Sequence, residues 1–257
     1  MTRIDAKTAP SAAAARTMKG EGKTIMSSRI LHLLAPSLAV LALSATLGSP
    51  AQTATRSAVA RATAPVAVAT APVAFAGTIY LTFDDGPHPT WTPRLLAVLR
   101  KYAVRAVFFE IGQNVAANPS VTRSVRAGGH LVGNHTWSHP DLTTLSTTAV
   151  TSQLNRMESA LGSRPRCVRP PYGATNSRIA TIIANRGQRQ VLWTVDPRDW
   201  SRPGTTTIVN RVLANVRSGS RILMHDGGGD RSQTVAAVDL LIPKLRARGF
   251  VIGLMAC

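Results

Sequence analysis

The stretch LTFDDGPHP, residues 81–89, sets two carboxylates, Asp84 and Asp85, side by side at the end of an apolar run. Glycine and two prolines follow, a composition that closes a strand with a turn. Successive side chains of a strand point to opposite faces, so the two acids are expected to point apart and to hold different tasks. Downstream, HTWSH places His135 and His139 four residues apart. A helical turn or a tight loop can bring such a pair onto one metal ion. No Glu follows His135, which excludes the HExxH protease pattern. Two histidines alone fit ordinary loop residues as well, and a carboxylate from the acidic pair would supply the missing third ligand. Two imidazoles and one carboxylate leave an open position for water, as catalytic metal sites require. One acid would then bind the ion while the other takes a proton from the water.

Three further segments carry groups suited to that chemistry. RCVRPPYG contains Arg169, whose guanidinium can grip a carboxylate and keep it ionised. DPRDW contributes Asp199 and Trp200, and ILMHD contributes His225. Imidazole titrates near neutrality, which makes His225 the candidate general acid, with Asp199 able to orient it and raise its pKa. Singly, each fits a bland alternative: Arg169 a surface charge, Trp200 a core residue, His225 a loop histidine. Their joint placement argues for a site. His88 and His130 are assigned structural or supporting places. Asp226, Asp230 and Arg231 of DGGGDR are expected to shape a loop at the cleft mouth.

The elements that must position these groups alternate. Short apolar runs at 79–83, 106–109, 131–133, 167–169, 190–195, 222–224 and 250–255 read as strands. Helical spacing covers 92–102, 121–127, 149–161, 177–185, 206–216 and 234–248. Alternation of this kind predicts parallel βα units, closed into a barrel or left as an open doubly wound sheet. The polar clusters follow the first, third, fourth, fifth and sixth strands. They therefore gather at carboxyl ends, the face where α/β barrels build active sites.

The 257 residues carry 30 Lys+Arg against 12 Asp+Glu, a formal net charge of +18. The basic residues are dispersed rather than clustered, so no nucleic-acid partner is expected. Lys19, Lys23 and Arg29 precede an uncharged apolar run at 30–47, followed by small residues. This order predicts a secretory signal peptide, with an uncleaved membrane anchor as the alternative and Met26 as a second candidate start. The expected division is a signal or anchor over 1–51, an Ala/Pro/Thr-rich linker over 52–76, and one domain over 77–257. Cys167 and Cys257 are the two cysteines, and in an exported chain they can pair or stay free.

TFDDGP, HTWSH, RPPYG, DPRDW and ILMHD occur in the order of the five motifs of polysaccharide deacetylases with a NodB homology domain, carbohydrate esterase family 4. The chain resembles that family from about residue 78 to 254. The resemblance implies a distorted (β/α) barrel of about seven parallel strands. It implies Asp84 as general base and Asp85, His135 and His139 as ligands of one divalent metal ion, zinc in the usual case. Arg169 resembles the brace of the base, and the backbone N–H of Tyr172 the oxyanion donor. Asp199 resembles the partner of the acid His225, and Trp200 and Leu223 the walls around the acetyl methyl group. The implied protein is a secreted or cell-wall-associated hydrolase that releases acetate from N-acetylglucosamine polymers, chitin oligomers or peptidoglycan. Two alternatives stand beside it: an acetylxylan O-acetyl esterase using the same site, and a carbohydrate-binding relative without catalysis.

Overall fold

The computed structural model describes residues 74–257. The predicted signal or anchor and nearly all of the predicted linker lie outside those residues.

β1 (Gly77–Asp84) runs through the middle of the sheet and is buried along almost its whole length. An apolar run of this kind suits a parallel strand covered on both faces. β2 (Val107–Glu110) and β6 (Arg221–His225) flank its C-terminal half, and β7 (Phe250–Gly253) pairs with its N-terminal half. From β2 the sheet continues through β3 (Leu131–Asn134) and β4 (Cys167–Val168) to β5 (Arg189–Gln190). All seven strands are parallel, as predicted. The connections carry α1 (Trp91–Lys101), α2 (Gly112–Ala117), α3 (Pro119–Ala127), α4 (Thr147–Leu161), α5 (Ser177–Asn185), α6 (Thr205–Asn215) and α7 (Ser232–Ala247).

The strand predicted over 190–195 is shorter than expected. Only Arg189–Gln190 pairs in the ladder, after which the chain swings across toward β6. Val195 then bridges Ile222, with Leu223 N–H donating to Val195 O at 2.9 Å. That bridge joins the two edges of the curled sheet and makes the distorted (β/α) barrel. Residues 191–195 serve closure rather than a regular ladder, which apolar patterning alone does not distinguish.

Alternation along β1 sorts its side chains between two environments. Ile79, Leu81 and Phe83 face an outer core shared with Leu95, Leu99, Ile208, Val238 and Leu241 from α1, α6 and α7. Tyr80, Thr82 and Asp84 take the opposite face, where Tyr80 packs against Val107, Phe109 and Cys167. Cys167 is disulfide-bonded to Cys257, settling the pairing that the sequence left open. The bridge spans 90 residues, so it removes roughly 4 to 5 kcal/mol of unfolded-chain entropy in the loop-closure model.

Candidate active site

Arg169 forms the floor. It follows β4, is fully buried, and places Nη1 2.6 Å from Asp84 Oδ1 and 3.0 Å from Thr82 Oγ1. Its Nε donates to Val191 O at 3.1 Å, and its guanidinium lies 4.1 Å from the Phe109 ring centroid. A buried cation is costly unless paired and bonded, and here one carboxylate, a hydroxyl, a carbonyl and a ring face share it.

Asp84 ends β1, and the alternation of side chains ends with it. Asp85 adopts φ 72°, turning its carboxylate back into the cavity that Asp84 lines. The expectation that the two acids point apart is thus corrected: a left-handed residue resets the direction. Such a conformation costs a non-glycine residue free energy and is tolerated where function or packing demands it. Gly227 makes room for the turn, since a Cβ there would lie 2.0 Å from Asp85 O.

His135 and His139 occupy a tight loop after β3. Asn134 Oδ1 accepts from Thr136 N–H at 2.8 Å, and Gln153 Oε1 from Trp137 and Ser138 N–H at 3.0 Å each. His135 Nδ1 lies 2.7 Å from Arg169 O, so Nδ1–H donates to that carbonyl and Nε2 keeps its lone pair. Asp85 Oδ1 is 3.4 Å from His135 Nε2 and 3.3 Å from His139 Nε2, yet it is buried and lacks a hydrogen-bond partner. An orphaned carboxylate oxygen facing two imidazole nitrogens, all within 4.8 Å of one another, fits a divalent cation. Burial works to raise the Asp85 pKa, but His135 foremost, with His225 and His139, outweighs it and holds the carboxyl well below its ordinary range. Burial and the neighbouring His135 push His139 down, toward the neutral form that ligates.

Across the cavity, Asp199 Oδ1 lies 2.7 Å from His225 Nδ1, and Asp199 Oδ2 accepts the His225 backbone N–H at 2.9 Å. Burial alone would lower the imidazole pKa. The hydrogen bond and charge of Asp199, with Asp84 and Asp85 adding to it, raise it to about 9. Nδ1 is thereby committed to Asp199, and Nε2 is the ring nitrogen left for chemistry.

Asp84, Asp85, His135, His139, Tyr172, Trp200, Leu223 and His225 all line one cavity of about 430 Å³, while Arg169 and Asp199 support it from behind. Tyr172 and Trp200 form its exposed rim, and the Tyr172 ring sits 4.6 Å from that of His139. Trp193 and Asp196 also line the cavity, although residue types and spacing assign them no role. Trp193 was hidden in a segment read as a regular strand. Asp226 is not at the mouth, where sequence reasoning set it. It is buried, accepts from Thr92 Oγ1 at 2.5 Å, and is pushed up to about 7, chiefly by burial. Arg231 is buried too, whereas Asp230 is an exposed residue that accepts from Ser232 N–H. His130 and His88 are structural, accepting from Ala106 N–H and from Thr90 and Trp91 N–H. A larger cavity of about 760 Å³ between α1 and α3 includes Val104, Arg105 and His130. It lies toward the N-terminal ends of β2 and β3 and assembles no acid–base pair.

A curled parallel barrel whose ionisable groups converge at the carboxyl ends of its strands is the architecture of an α/β-barrel enzyme. Residues 75–191 match the family model described as polysaccharide deacetylase. The chain is 45% identical over 192 residues to a chitooligosaccharide deacetylase of Sinorhizobium fredii, covering 69% of this chain and 89% of that protein. It is 41% identical over 177 residues to a peptidoglycan-N-acetylglucosamine deacetylase of Bacillus cereus, covering 67% and 83%. A family 4 carbohydrate esterase from Streptomyces lividans, solved with acetate, superposes with TM-score 0.66 at 36% identity, covering 71% of this chain and 95% of that one. The chain belongs to the polysaccharide deacetylase family, carbohydrate esterase family 4, and its barrel is the NodB-type fold of that family.

Proposed function

We propose that this enzyme is a divalent-metal-dependent N-deacetylase acting on N-acetylglucosamine units of chitin oligomers or peptidoglycan. The observation that carries the reading is the buried, orphaned Asp85 Oδ1 facing both histidine Nε2 atoms, with the Asp84–Arg169 pair beside it. The named activities of the relatives support the N-acetyl substrate class.

Asp85, His135 and His139 would hold the cation, and their nitrogen and oxygen donors suit zinc. When bound there, the ion supplies polarisation of the acetyl carbonyl and acidifies the attacking water. Asp84, with Oδ1 tied to Arg169, accepts the water's proton at Oδ2. The backbone N–H of Tyr172 stabilises the charge that develops on the carbonyl oxygen. His225 delivers the proton on Nε2 to the departing nitrogen, leaving acetate and a free amine. Trp200 and Leu223 enclose the methyl group. The basic, then apolar, N-terminal run extends the proposal to an exported enzyme, which fractionation of producing cells checks.

Acetate release measured on chitooligosaccharides, peptidoglycan and acetylxylan tests the substrate class. Release from either N-acetylated substrate, stopped by thorough chelation, is the expected result. Release from acetylxylan alone, or from none of the three, overturns the proposal.

A further inference from the structure

The loop that carries Asp199 and Trp200 closes a short turn of its own, with Ser201 N–H donating to Arg198 O and Arg202 N–H to Asp199 O, yet it is strained. Arg198, Arg202 and Gly204 adopt φ of 57°, 51° and 97°, so the chain is held in left-handed conformations at two non-glycine residues. Such strain persists only where neighbouring structure over-determines it. Beyond those bonds, and the Arg211 Nη1 donation to Pro197 O from α6, the start of α7 braces this loop at three points. Thr234 Oγ1 donates to Asp199 Oδ2 at 2.7 Å, and Gln233 Oε1 accepts Gly204 N–H at 2.8 Å. Arg231 Nη1 donates to Trp200 O at 3.3 Å.

Arg231 reaches a second loop with its other nitrogens. Nε donates to Gly227 O at 2.6 Å and Nη2 to Gly228 O at 2.9 Å. Those glycines press directly on Asp85, because a Cβ at Gly228 would stand 2.8 Å from Asp85 Oδ2. All three acceptors are carbonyl oxygens, and the side chain is only 5% exposed. Spending a buried guanidinium on three carbonyls is costly unless their positions matter. The planar fork spans two loops at once, which a lysine ammonium cannot do.

We infer that Arg231, Gln233 and Thr234 are positioning residues for the reaction, a reading that rests on the deacetylase function proposed above. Thr234 fixes the carboxylate that aims His225. Arg231 ties the Trp200 wall to the glycine loop against Asp85, so acid, wall and metal-ligand turn are set as one unit. Gln233 anchors the far end of the same loop.

The test uses the zinc-loaded full chain with Thr234→Val, Thr234→Ser and Arg231→Met. Thr234→Val should lower kcat by about tenfold with KM unchanged, the loss expected for one hydrogen bond to a working carboxylate. The downfield Nδ1 proton resonance of His225 should broaden or vanish in the same variant. Thr234→Ser, which keeps the hydroxyl, should restore both. Arg231→Met should raise KM by about tenfold through the loosened wall, while the alkaline limb of kcat stays in place. Folded variants with wild-type kcat, KM and resonance overturn the inference, as do losses that merely track the folded fraction. If Thr234→Val does not fold, Thr234→Ala is read in its place. An inactive wild type would instead refute the deacetylase reading, and the His225 resonance would still judge the clamp.

Discussion

Arg169 Nη1 stands 2.6 Å from Asp84 Oδ1 in a pair closed off from solvent, while the other Asp84 oxygen lies 3.7 Å from His135 Nε2. One oxygen is thus held by a fixed guanidinium, and the other is left beside the cluster of Asp85, His135 and His139. That division fixes one oxygen of the carboxylate and leaves the other free to accept a proton.

Asp84→Asn retains an oxygen for Arg169 but removes the ability to take up a proton. The variant should lose roughly a thousandfold in kcat. Its metal content, read by elemental analysis, should stay at the wild-type level. Loss of the ion along with activity would mean that the two neighbouring acids had been assigned the wrong way round.

The His225 imidazole is raised from 6.5 to about 9, against the effect of burial and by its bond and charge partnership with Asp199. A general acid must be protonated, so kcat should hold through neutral pH and fall on an alkaline limb between those two values. A cation held at Asp85 would offset the pull of that carboxylate and set the limb below the upper value. Asp199→Asn removes the larger attraction, and its limb should move to lower pH. A limb that stays put in this variant would remove His225 from the role of acid.

Glu110 makes a stability prediction away from the chemistry. It is fully buried at the end of β2, where Thr122 Oγ1 donates to Oε2 at 2.8 Å, and burial raises its pKa from 4.5 to about 8. Between those values the folded chain keeps a proton that the unfolded chain has released, so stability falls as pH rises across that window. Glu110→Gln has no proton to lose. Its denaturant midpoint should therefore vary less with pH than that of the wild type, and equal variation would contradict the assignment.

Much of the site was legible because its residues sit at strand ends in short motifs whose local order is also their spatial order. Asp85, His135 and His139 come from two such ends: residue types marked the two histidines and the acidic pair, the family resemblance singled out Asp85, and the structure brings the three together. What escaped depends on contacts between distant segments. The pairing of Val195 with Ile222 cuts a predicted strand short, and no periodicity in residues 190–195 announces it. α2 spans six residues with two of them buried, too few for a helical period to show. Glu110 ends an otherwise apolar strand and is buried with Thr122, a residue twelve positions away. Arg231 is expected from the sequence only as part of a loop at the cleft mouth, and its burial against three carbonyls arises from contacts that residue types do not announce.

The central claim is that Asp85, His135 and His139 hold one divalent cation that turnover requires. Calorimetric titration of metal-free protein with zinc, followed by acetate release from a chitooligosaccharide at each point, tests it most directly. One ion per chain is expected, with activity rising in step with occupancy and neither binding nor activity in His135→Ala. Full acetate release from the metal-free enzyme, or undiminished zinc binding in His135→Ala, would contradict it.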